Sequence, residues 1–264
     1  MLTPQQIATF QDQGYLKGGR VLTDAQVDEL RAEVERVIAD REKPVQQPVS
    51  IRNLARNDGQ TIWQIVNICE ASAPFMALVH NRRVTEEIAQ LSGAKEVRLW
   101  HDQIQFKPAE TGGVNMWHQD WPYWGILDAP HQVTAWVALD DVDPANGCMS
   151  MVPGSHRWGD NIDVLHKLPA FDQMIEEYRG QKLTVKTCPV SKGCVHYHHG
   201  LTWHGSPANQ SGRPRRAIAL HYMTEQTRYK AAGNHLMKKF VTVADGQPLQ
   251  GAAFPLVWPP TKKA

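Results

Sequence analysis

Residues 195–223 read V-H-Y-H-H-G-L-T-W-H-G-S-P-A-N-Q-S-G-R-P-R-R-A-I-A-L-H-Y-M. Two short runs, Val195–Tyr197 and Arg215–Met223, have the β-branched and aromatic texture of strands. Gly205 to Pro207 and Gly212 to Pro214 punctuate the stretch between them with turn residues. Alternation splits the second run into two faces. Arg215, Ala217, Ala219 and His221 leave on one side, and Arg216, Ile218, Leu220 and Tyr222 on the other. The first face is small and polar, suited to a pocket. The second is bulky and suited to packing against an outer layer.

The same texture extends upstream to Gly93. Val97–Lys107, Val114–His118, Gln132–Asp140, Gly147–Val152 and Leu183–Lys186 also read as short strands, and a helix is expected near Ala170–Arg179. Many short strands with Gly and Pro between them indicate a β-sandwich or barrel. Ahead of Gly93 the pattern is helical. Thr3 with Gln6, and Thr23 with Gln26, are capping-box starts, the first with Pro4 at the opening position. Val27, Leu30, Val34 and Val37 then form an apolar stripe. Residues 43–60 are polar, carry Pro44 and Pro48, and read as a long loop that could close over a site. Residues 74–93 suggest one or two short helices, and the tail after Thr224 is irregular with several prolines.

Composition narrows the partners. The chain has 264 residues, a formal net charge of +1 and 21% charged residues, so no global field recruits nucleic acid. No apolar run approaches the roughly 20 residues of a membrane span. The start M-L-T-P-Q-Q does not resemble a signal peptide, and four Cys without a C-x-x-C pair suggest free thiols in a reducing, cytoplasmic setting. Twelve histidines are the unusual count.

His118 and Asp120 sit in M-W-H-Q-D-W-P-Y-W. Two residues apart on a strand share a face, so an imidazole and a carboxylate could reach one ion. A lone H-x-D is weak evidence, and a hydrogen-bonded His–Asp pair is the plainer role. A second imidazole could come from His196, His198, His199, His204 or His221. His204 precedes a Gly-Ser-Pro turn, and Arg215 follows eleven residues later. An arginine there could grip a carboxylate with its planar fork. Asn146-Gly147 is most simply a turn, and Ser155 and His156 most simply stabilise a loop.

W-H-Q-D, T-A-W-V-A-L-D-D, N-G-C-M-S-M-V-P-G-S-H and H-G-S-P-A-N-Q-S-G-R-P-R-R-A occur in this order. The set resembles the phytanoyl-CoA dioxygenase family of Fe(II)- and 2-oxoglutarate-dependent oxygenases. The opening L-T-P-Q-Q-I-A-T-F-Q-D-Q-G-Y-L resembles the family's start, and the likeness covers roughly residues 1–225. The resemblance implies a mainly β fold with flanking helices, a double-stranded β-helix or jelly-roll barrel. It implies His118, Asp120 and His204 as iron ligands. Arg215 falls on the clamp for the far carboxylate of 2-oxoglutarate, Ser206 on its hydroxyl helper, and Gln105 and Trp136 on positions lining that pocket. The cofactors implied are Fe(II), 2-oxoglutarate and O2, with succinate and CO2 released.

One oxygenase domain over 1–264 is expected, with residues 1–93 mostly helical, 94–225 the barrel core and 226–264 an irregular tail. A monomer or homodimer acting on a small molecule is expected, with hydroxylation of an unactivated C–H as the reaction. Trp117, Trp121, Tyr123, Trp124 and Trp203 crowd the metal motifs and could wall a hydrophobic or ring-containing substrate. Arg52 and Arg56 could meet a phosphate-rich one. Two other readings keep the same barrel: a metal-holding binding module without turnover, and an O2-independent metal-dependent isomerase.

Overall fold

The computed structural model describes residues 1–55 and 59–260. Both capping boxes form. Thr3 and Gln6 open α1 (Pro4–Gln13), and Thr23 and Gln26 open α2 (Asp24–Ala39), with threonine hydroxyl and glutamine amide satisfying each other's backbone donors. Gly14 ends α1 at φ 78, a left-handed position, with His156 and Thr202 packed where a Cβ would project. Two more helices, α3 (Ala73–Val79) and α4 (Arg82–Ser92), fill the expected 74–93 region, and α5 (Ile162–Leu165) is a single turn.

The strands in chain order are β1 (Tyr15–Arg20), β2 (Ser50–Asn53), β3 (Trp63–Val66), β4 (Val97–Lys107), β5 (Asn115–His118), β6 (Val133–Ala138) and β7 (Met149–Met151). They continue with β8 (Glu177–Tyr178), β9 (Gln181–Lys182), β10 (Lys186–Cys188), β11 (Cys194–His199), β12 (His204–Ser206), β13 (Arg215–Thr224) and β14 (Leu256–Trp258). A large antiparallel sheet runs β1-β11-β6-β13-β4-β3-β2, with β14 added on β4. A smaller sheet runs β10-β7-β12-β5. Two antiparallel sheets of this order make the double-stranded β-helix.

The two faces of the large sheet differ in chemistry. Its outer face packs Val137, Val195, Ile218, Leu220 and Tyr222 with α1 to α4 into the main apolar core. Its inner face carries Gln103, Gln105, Trp136, His198, Arg215 and His221 around a cavity. The alternation expected for β13 holds: Ala219 lines the cavity, and Arg216 turns outward to Asp140 at 3.0 Å and Glu35 at 3.0 Å.

Several expectations need correction. The barrel is not confined to 94–225, because β1, β2 and β3 join the large sheet from upstream and β14 from the tail. Residues 43–60 are not all loop, since β2 pairs with β3. Arg56 lies outside the described residues. Ala170–Arg179 holds turns and β8 rather than a helix. Phe171, Met174, Ile175 and Tyr178 have helical spacing, but they pack over Trp117 and Trp203 instead. The Phe171 carbonyl accepts from the Trp117 indole at 2.7 Å, where a helix would have used it. No helix among the described residues is long and apolar enough to cross a membrane.

Ile218 is fully buried in the outer core. Ile218→Ala is expected to cost about 2–5 kcal/mol through lost burial and the cavity left behind. Urea unfolding measures it, and a midpoint equal to wild type would contradict the packing described.

Candidate metal centre and the pocket beside it

Strands β5 and β12 pair antiparallel with His118 directly opposite His204, which brings the two rings to 4.2 Å between centroids. Asp120 lies beyond the end of β5, in helical backbone at φ −75 and ψ −48. The expected strand alternation therefore does not place it; the turn does. Its Oδ1 is 3.7 Å from His118 Nε2 and 3.6 Å from His204 Nε2. Among the described residues, these three form the cluster of ligand-type side chains whose donor atoms converge within 4.8 Å.

The imidazoles are prepared for an ion. His118 donates its Nδ1–H to the Met116 carbonyl at 2.7 Å, and His204 donates to Thr202 at 2.8 Å. Each bond leaves a bare Nε2 lone pair facing Asp120. Burial pushes both down to about 4, so they are neutral at ordinary pH. Burial works to raise Asp120, but the imidazoles around it, His204 foremost, and a hydrogen bond from His198 hold it well below 3.8. Two neutral imidazoles and one carboxylate could hold a divalent ion and leave positions open, as in non-haem iron(II) sites.

A cavity of about 410 Å³, counting the solvent at its open mouth, adjoins the triad and reaches Arg215. Arg215 is buried and gives hydrogen bonds to Ser206 Oγ at 3.0 Å and to the Gly147 carbonyl at 3.2 Å. Its guanidinium lies 5.4 Å from the Trp136 ring. Asn115 donates to the Gln105 amide oxygen at 3.2 Å, and both line the same space. Arg215, Ser206, Gln105 and Trp136 are thus brought together around one cavity.

The sequence reading missed Lys107. It pairs in register with Arg215, is fully buried, and its amine reaches Ser206 Oγ at 2.7 Å and the Pro207 carbonyl at 2.6 Å. Burial, then the neighbouring Arg215 charge, holds that amine well below 10.5, and burial lowers Arg215 to about 10. Neither cation pairs with a carboxylate among the described residues. Two buried positive groups without an anion are costly, and a bound carboxylate would neutralise them. No local signal marks Lys107, because its burial follows from the pairing of β4 with β13.

His198 was considered only as a rival ligand. Its Nε2 lies 3.1 Å from Asp120 Oδ2. His196 and His199 do not join the triad: His196 stacks on Tyr15 at 5.6 Å, and His199 lies 5.5 Å from His156. The aromatic wall is smaller than expected. Trp117 stacks on Phe171, Trp203 meets Trp158 edge-on and Tyr178 at a tilt, and Trp124 meets Trp100 edge-on. Tyr123 is 52% exposed, with its ring 6.3 Å from His118 and its hydroxyl 2.8 Å from His166. Arg52 is exposed and held by the Gln64 amide oxygen at 2.7 Å.

Residues 10–217 match the family described as Phytanoyl-CoA dioxygenase (PhyH). The chain belongs to the phytanoyl-CoA dioxygenase family. An ectoine dioxygenase of Nocardia farcinica (strain IFM 10152) is 32% identical over 156 residues, 58% of this chain and 51% of that protein. The chain thus spans about half the length of such curated relatives. A peroxisomal phytanoyl-CoA dioxygenase of Bos taurus is 22% identical, covering 87% of this chain and 71% of that one. Among solved structures, the non-heme alpha ketoglutarate dependent carbocyclase SnoK from nogalamycin biosynthesis superposes with a TM-score of 0.78. It is 25% identical and covers 97% of this chain and 96% of its own.

The buried imidazoles make stability depend on pH. His118, His204 and His221 sit at about 4 and His199 at about 3, against 6.5 unfolded. Between those values the unfolded chain binds more protons. The stability they contribute is complete above pH 6.5 and is lost as pH falls toward 4. Each histidine contributes a slope of at most about 1.4 kcal/mol per pH unit. Urea midpoints of the metal-free protein across this range should fall steeply; a flat profile would show that these groups stay accessible.

Proposed function

We propose that the chain is an Fe(II)- and 2-oxoglutarate-dependent oxygenase that hydroxylates a C–H bond of a small metabolite. The observation that carries this reading is a His–Asp–His cluster that shares one cavity with the buried Arg215, whose Ser206 partner is also bonded by the buried Lys107 amine. A binding module that only held a metal would have no use for the second half.

In this reading His118, Asp120 and His204 hold the iron. Arg215 grips the far carboxylate of 2-oxoglutarate, and Ser206 and Lys107 surround the same end. Iron and 2-oxoglutarate, when bound, supply the oxidising chemistry with O2 and release succinate and CO2. The protein's part is orientation and exclusion of water. Ala219, on the Arg215 face of β13, lines the cavity and is small enough to leave the cosubstrate its volume. Trp136 closes the space beside the guanidinium. Tyr123, exposed beside His118, offers a ring against which a flat or apolar substrate could lie.

Hydroxylation is the outcome we favour; Asp120, filling the carboxylate position, leaves no room for a halide and argues against halogenation. Proteins of this fold include a carbocyclase and an epimerase, so the same centre also supports other outcomes elsewhere. Succinate formation from 2-oxoglutarate in air, and none without O2, is expected; turnover that persists anaerobically would favour the isomerase reading.

Replacing His118, Asp120 or His204 by Ala should each abolish iron-dependent succinate formation while the fold survives, because the three stand on or just beyond the smaller sheet, away from the main core on the outer face of the large one. Retained iron and succinate in His204→Ala would remove it from the site. Arg215→Ala is expected to weaken 2-oxoglutarate by about 2–5 kcal/mol if the charge pair is buried. Arg216→Ala should leave that affinity nearly unchanged, since its guanidinium serves Asp140 and Glu35. Titration of 2-oxoglutarate into both variants decides between them.

A further inference from the structure

The two oxygens of Asp120 have different surroundings. Oδ1 faces the bare Nε2 atoms of His118 and His204 at 3.7 and 3.6 Å. Oδ2 points away, to His198 Nε2 at 3.1 Å and Thr134 Oγ at 3.3 Å. An ionised carboxylate only accepts hydrogen bonds, so both partners must donate. His198 then carries its proton on Nε2, and its buried Nδ1 is bare and has no partner. Thr134 directs its hydroxyl hydrogen at Asp120. The Nδ1 of His221, 2.7 Å from the same hydroxyl oxygen, supplies the second hydrogen. His198 and Thr134 sit opposite each other on β11 and β6, in the interior of the large sheet. His198 is 2% exposed and its ring lies 4.6 Å from that of His204.

We propose that His198, with Thr134, is a positioning residue that ties down the outer oxygen of Asp120, so that the inner oxygen alone serves the metal. Asp120 needs this because it stands on a turn beyond β5, where no ladder bond aims its side chain. A carboxylate with both oxygens free could close on the ion from two points and occupy a position meant for cosubstrate or O2. Held at one oxygen, it leaves those positions open. The inference rests on the iron-site reading above.

The test uses the full chain, freed of metal and titrated anaerobically with Fe(II), then with 2-oxoglutarate. Wild type that binds no Fe(II) would overturn the functional reading and this inference together. With wild-type binding in hand, His198→Leu is expected to weaken Fe(II) by about 10–100-fold. It should also shift the visible charge-transfer band formed with 2-oxoglutarate, with circular dichroism unchanged. His198→Gln, whose amide N–H can reach the place of Nε2, should restore most of the affinity and the band. Fe(II) affinity and band unchanged in His198→Leu would overturn the inference and leave the functional reading intact. Complete loss of Fe(II) that Gln does not restore would make His198 a ligand, overturning it as well. If the Leu variant does not fold, Thr134→Val carries the test: several-fold weaker Fe(II) is expected, and wild-type affinity would overturn the role.

Discussion

The register between β5 and β12 is the constraint on which the site hangs. His118 stands opposite His204, and a slip of one residue would send one imidazole to the wrong face of the smaller sheet. The shift later in the same pairing, where Ser206 meets Asn115, brings Ser206 to Lys107 and Arg215. One short ladder thus serves both halves of the cavity. The β12 neighbour on its other side, β7, holds it with His204 opposite Met151 and Gly205 opposite Ser150.

Function and stability are assigned to opposite faces of the large sheet. The inner face buries two cations and several imidazoles, each of which opposes folding without a partner. The outer face carries the apolar area against the helices that offsets this. Its polar groups are satisfied: Tyr197 donates to Glu87 at 2.6 Å and Tyr222 to the Val79 carbonyl at 2.9 Å. Substitutions inside the cavity can therefore change chemistry without dissolving the core.

Much of this was legible in the sequence because it is local. Capping boxes read within four residues, and the faces of β13 follow from period-two alternation. The roles of His118, His204 and Arg215 came from a resemblance, and the geometry brings those residues together. What stayed hidden depends on which strand lies beside which. Lys107 reads as an ordinary charged residue until β4 pairs with β13. His198 reads as one of several rival imidazoles, and Asp120 reaches it only through the fold. The false helix at 170–179 has correct helical spacing, but its apolar residues are claimed singly by Trp117 and its neighbours.

The two margins of the large sheet have a consequence for association. β1 bears Lys17 and Arg20 with an irregular register between them, and β2 is four residues long, follows Pro48 and carries Arg52. Charge, irregularity and brevity at a sheet margin discourage another chain from adding a strand there. A long antiparallel sheet is a template for runaway growth unless its rims are spoiled, and here both are. Extension of the large sheet by a strand from a second copy is thereby disfavoured at β1 and at β2.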